Sequence, residues 1–165
     1  SFVHGTDGVI LDSTYPIYKF EFINIHPATN GTFFQFNMST DSGSNYNVAK
    51  TTTAFYAYHT ESGSASALTY DAGQDLAQGT GFQNLLYAIS SDNDSAGSGE
   101  LSIYSPSSDT FVKHFLATSN TAATTPYTIN FRYAGYGNTT SAVNAIRFQM
   151  SSGNFDGVIK LYGVS

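Results

Sequence analysis

The sequence predicts an all-β protein: a single antiparallel β-sandwich, jelly-roll-like, with about 8–9 strands, occupying residues 1–165 as one domain. Three features carry that prediction. Apolar and polar residues alternate with a period of two over most of the chain, the pattern of strands with one buried and one wet face. The runs are short and regularly spaced, and the joints between them are rich in Gly, Ser, Asn and Asp, residues that accept positive φ or bond their own backbone. No run has the spacing of a sizeable amphipathic helix. At most one helical turn is expected, around Asp75 to Gln78, kept short by nearby glycines.

The elements follow in order. Tyr15 to His26 sets Tyr18, Phe20 and Phe22 against Lys19, Glu21 and Ile23. Gly31 to Met38 puts Phe34, Phe36 and Met38 on one face and Gln35 and Asn37 on the other. Thr51 to Thr60 alternates Phe55, Ala57 and His59 with Tyr56 and Tyr58. Three shorter runs lie at Asn84 to Ser90, Glu100 to Ser105 and Phe111 to Ala117. Tyr127 to Gly135 keeps Tyr127, Ile129, Phe131 and Tyr133 in phase. Val143 to Met150 opposes Ile146, Phe148 and Met150 to Arg147 and Gln149, and Val158 to Val164 opposes Ile159 and Leu161 to Lys160 and Tyr162. Lys19, Arg132, Arg147 and Lys160 all fall on the polar phase. A basic residue there discourages edge-to-edge pairing, and these four are also the candidates for contact with an acidic neighbour or a polysaccharide.

Charged residues are 11% of the chain, against roughly 25% in ordinary globular proteins. Solubility therefore rests on Ser, Thr, Asn and Gly. Thirteen Phe and twelve Tyr are too many for a disordered chain. A net charge of −6 speaks against a nucleic-acid partner, which demands a basic face. No apolar run is long enough for membrane insertion as a helix. The opening "SFVHGTDGVI" has neither a basic n-region nor an apolar h-region, so no signal peptide is expected in it. With no Cys there is no disulfide framework and no thiolate metal site.

Motifs for chemistry fail one after another. His4, His26, His59 and His114 stand in no zinc-binding spacing, and no Ser sits in G-x-S-x-G. Asp92 to Gly97 opens like a calcium loop but has Ile103 where a bidentate Glu is required, leaving Asp92, Asp94 and Glu100 as a weak cation candidate beside the default of a polar turn. The Gly79 and Gly135 clusters lack the third glycine of a dinucleotide fingerprint. The reading is of a non-enzymatic protein without a cofactor. Sugar binding is the alternative: exposed aromatics stack on pyranose rings, and Tyr46 and Tyr136, placed in Gly- and Asn-rich loops, are the candidate contacts with a host surface polysaccharide. N-x-[ST] sequons at Asn30, Asn37 and Asn138 would matter only in a secretory pathway.

Two long stretches, "GELSIYSPSSDTFVKHFLA" from Gly99 and "AGYGNTTSAVNAIRFQMSSGNFDGVIKLYGV" from Ala134, are similar in wording to a family of virion-associated structural proteins of tailed, largely aquatic and marine, bacteriophages. Family members carry phrases such as "NPSSTTYVKHF" and "GYxNTTSAINAIxFxMSSGNIxxGxIKLYG". Ser13 to Thr29 and "DLAQGTGF" at Asp75 to Phe82 match as well, so the resemblance covers most of the chain. It implies a jelly-roll-like module on a phage particle, either decorating the capsid or forming part of a fibre, with other virion proteins as partners. It brings no catalytic residues. It also implies a symmetric homo-oligomer, a trimer above all, in which Lys19, Arg132, Arg147 and Lys160 would make contacts.

Overall fold

The nine alternating runs all become strands in the computed structural model, which describes residues 1–165. They are β2 (Ile17–Pro27), β3 (Thr32–Ser39), β4 (Lys50–Thr60), β6 (Gln83–Ile89), β7 (Gly97–Tyr104), β8 (Lys113–Ala122), β9 (Tyr127–Gly137), β10 (Ala145–Met150) and β11 (Phe155–Val164). Two further strands raise the count to eleven: β1 (Phe2–Val3) and β5 (Ser66–Tyr70). The first is too short to show an alternation. The second is exposed along its whole length, so no buried phase marks it. The helical turn expected around Asp75 does not form. That segment instead runs beside β4, where Lys50 and Gly79 exchange both backbone hydrogen bonds and Thr52 N–H donates to Leu76 O.

The strands make two antiparallel sheets, one of order β1-β10-β3-β6 and one of order β11-β2-β7-β8-β9-β4-β5. Pairing is nested, β2 with β11, β3 with β10 and β4 with β9, and the chain changes sheet from β2 to β3 to β4 and again from β9 to β10 to β11. That is jelly-roll-like wiring, with the β7–β8 hairpin inserted into the larger sheet. β2 and β11 bend together. Asn24 has φ 50° at a bulge, and Gly157 opposite it has φ 135° with Asn24 O so close that a Cβ would stand 2.8 Å from it.

Both inner faces are aromatic. Phe148 of β10 lies at the centre, with ring centroids at 5.1 Å from Phe20, 5.2 Å from Phe22 and 5.7 Å from Phe34, and Phe2 closing over it at 6.0 Å. Twenty-five buried residues form one continuous core, which is what a single domain requires.

Candidate functional site

With seven strands opposed to four, the larger sheet offers the broad exposed surface. Because register partners share a face, its outer side can be read row by row. One row runs Lys160, Glu21, Glu100, Thr118, Arg132, Phe55 and Tyr70 from β11 across to β5. The next holds Tyr162, Lys19, Ser102, Leu116, Ala134 and Thr53. Ten large apolar side chains stand exposed on the protein, and eight are on this face: Ile23, Phe55, Leu68, Tyr70, Leu116, Val158, Tyr162 and Val164. The outer side of the smaller sheet has none of them. Where Ala134 and Gly135 leave room in the middle of the face there is a trough of about 440 Å³, walled by Tyr104, His114, Leu116 and Tyr136. It adjoins a second hollow of about 310 Å³ with Phe55, Glu100 and Arg132 on its rim.

Three of the charges on this face are paired with one another. Lys19 Nζ lies 2.6 Å from Glu100 and 3.7 Å from Glu21, which offsets the repulsion between two carboxylates in direct register. The hydrogen bond to Glu100 pushes the Lys19 pKa up. Lys160 stands opposite Glu21, and Arg132 lies between Thr118 and Phe55. Partly exposed pairs of this kind add little stability, but they fix which charge a partner meets at each point.

Arg147, the fourth basic candidate, is on the other side of the molecule, on the outer face of β10. Its guanidinium sits 4.1 Å above the Tyr46 ring, and its Nε donates to Ser1 Oγ. The two tyrosines singled out for sugar contact are therefore separated: Tyr46 stacks with Arg147 over the smaller sheet, while Tyr136 is a β9 residue on the outer face of the larger one, beside His114. They cannot grip one ligand together. Glu100 is engaged with Lys19, and Asp92 is held in a turn by its own backbone, so Asp92, Asp94 and Glu100 form no common donor set. His4 Nδ1 accepts from Leu11 N–H and His26 Nδ1 meets Ser95 O, whereas His59 and His114 point outward from the larger sheet.

Two of the six basic residues went unnoticed as buried groups. Lys50 and Lys113 are completely inaccessible, and both pair with Gly137, one from each side. Lys113 Nζ donates to the carbonyls of Ser108 and Phe111, each at 2.6 Å, and of Thr139 at 3.3 Å, tying two loops to the end of the sheet. Lys50 Nζ donates to Asn37 Oδ1 at 2.5 Å and Val48 O at 2.9 Å and meets no carboxylate. Burial pushes its pKa down to about 7. A side chain on Gly137 would crowd Met38 Cε at 2.7 Å and Val48 Cγ1 at 3.0 Å. A signal existed for Lys113, which shares the phase of Phe115 and Ala117. None was clear for Lys50, which three threonines follow.

Asn37 is the hub of this arrangement and is fully buried, so its sequon offers no accessible amide. Its Nδ2 donates to Tyr46 O and Thr80 O, and its Oδ1 also accepts from Met38 N–H. Asn37→Ala strands two carbonyls and leaves the Lys50 amine with Val48 O as its one partner. The expected loss is about 3 kcal/mol, read as a lower urea midpoint with an unchanged m-value. Searches against family models, curated proteins and solved structures find no match to this chain.

Proposed function

We propose that this chain is a non-enzymatic structural module of a bacteriophage particle, a capsid decoration or fibre component, that assembles by burying the outer face of its seven-stranded sheet against further copies of itself. The single observation that carries the assembly is the one-sided distribution of exposed apolar side chains. Scattered singly they would need no explanation, but gathered on one sheet face, around a mixed-charge row, they have the composition of an interface. The row suits a self-complementary contact. Arg132 and Lys160 flank two glutamates, so a second copy finds both signs within reach. The phage setting is supported by the resemblance in wording described above, which also implies three copies.

Light scattering across a dilution series tests this. The wild type is expected to hold a constant mass of more than one chain, a trimer by the resemblance. Leu116→Glu combined with Phe55→Glu is expected to give single chains with unchanged circular dichroism, because both side chains already lie on the surface. A wild type that is a single chain throughout, or a double variant of unchanged mass, overturns the proposal.

A further inference from the structure

The larger sheet overhangs the smaller one. Past the β6 edge, the inner faces of β4 and β9 lose their cover, and a cleft of about 340 Å³ opens there. This volume lies within the usual range for small-ligand sites. Its walls are four tyrosines: Tyr56 and Tyr58 from β4, Tyr127 from β9 and Tyr87 from β6, with Asp71 at the end of β5 completing the rim. The rings form a connected surface. Tyr58 is 6.1 Å from Tyr56 and 5.7 Å from Tyr127, and Tyr87 stacks on the buried Phe131 at 5.2 Å.

The hydrogen-bonding capacity of the cleft is unspent. Among the tyrosines of the chain, the hydroxyls that bond within the protein are those of Tyr18, to Asp12, and Tyr70, to Asp75. The four cleft hydroxyls are left for whatever enters. Asp71 uses Oδ1 for Gly73 N–H and keeps Oδ2 free. Behind the wall lies a second, independent feature. The Tyr133 hydroxyl is buried with no partner at all, a rare condition in a folded protein. Burial raises its pKa, and the two ionisable groups that raise it further are Asp71 and Tyr87, both cleft residues. The orphan hydroxyl is not in the cleft lining, but its ring stacks on Phe131, the residue that also carries Tyr87.

The geometry points to a saccharide-binding site in this cleft, with Tyr58 and Tyr127 stacking against a pyranose ring and the Asp71 carboxylate accepting its hydroxyls. A sugar has what the site lacks: apolar C–H faces for the rings and several hydroxyls that both donate and accept, for Asp71 and the four phenols that line the cleft. A quaternary ammonium would also favour tyrosine faces. It would, however, meet only the charge of Asp71 and offer no hydrogen bond to the carboxylate or to the phenols. The site opens from the interior side of the overhang, on the opposite side of the sheet from the assembly surface proposed above, so either reading stands or falls without the other.

Saturation-transfer NMR with glucose, galactose, mannose and N-acetylglucosamine as probes, and choline chloride alongside them, decides the matter. At least one sugar is expected to bind saturably in the millimolar range. Asp71→Asn, nearly isosteric, and Tyr58→Ala are each expected to weaken that binding roughly tenfold or more, since the cleft concentrates the contact energy in few groups. Tyr46→Ala, over the other sheet, is expected to leave it unchanged. Folding is checked by thermal midpoint; should Tyr58→Ala fail to fold, Asp71→Asn still carries the test. Four sugars that do not bind, binding indifferent to Asp71→Asn, or binding of choline alone would each overturn the assignment.

Discussion

Raising the pH from about 7 to about 10 is expected to stabilise the folded protein, by at most about 1.4 kcal/mol per pH unit. The cause is Lys50, whose buried amine has its pKa pushed from 10.5 down to about 7 with no carboxylate nearby to hold the charge. Below the folded-state value, both states carry the proton and stability sits on its lower plateau. Between the two values, the unfolded chain binds one proton more than the folded one, so stability rises with pH. Above the unfolded-state value, both amines are neutral and the gain is complete. Burial shifts Lys113 in the same direction, with Asp109 opposing it. Tyr133 acts against both at the alkaline end: its raised pKa means that the unfolded chain ionises first, and stability falls once the pH passes about 10. Denaturant midpoints across this range check the profile. Lys50→Met keeps the volume and removes the proton, and it is expected to flatten most of the rise. A flat wild-type profile would show that the amine stays charged when folded.

Phe148→Ala is expected to cost about 4 kcal/mol and lower Tm by about 10 °C, the upper range for emptying an aromatic site in a rigid core. Four rings meet Phe148, and they come from β2, β3 and the N-terminal segment, so no single movement closes the hole. Phe111→Ala provides the contrast. That ring is 70% exposed in the loop before β8, and its removal is expected to change stability by less than about 0.5 kcal/mol. Equal losses from the two substitutions would mean that Phe148 is not the packing centre.

Legibility in the sequence followed burial. Wherever one face of a strand is dry and the other wet, the alternation identified the strand, and at Phe20 and Phe22 or Phe34 and Phe36 its inward phase as well. It failed at β5, which is wet on both faces, and at β1, two residues long. The candidate residues show the same limit. Lys19, Arg132, Arg147 and Lys160 do point outward as their phase required, yet Arg147 lies on the opposite sheet from the other three. Tyr46 and Tyr136 were paired by composition of their surroundings and are separated by the thickness of the sandwich. The tyrosines that do gather, Tyr56, Tyr58, Tyr87 and Tyr127, come from three strands distant in sequence.

By itself, then, the sequence determined the class of the fold, the position of nine strands and the inward side of those that carry Phe20, Phe34, Phe131, Phe148 and Ile159. Those properties depend on residues one and two places apart, and the period of the pleat writes them directly into the chain. The tertiary structure alone decided which strands share a sheet, that one sheet would overhang the other, and that two lysines would be enclosed. Each of these depends on long-range pairing, such as β2 with β11 or β4 with β9, and an alternating pattern has the same form whichever neighbour it is laid against.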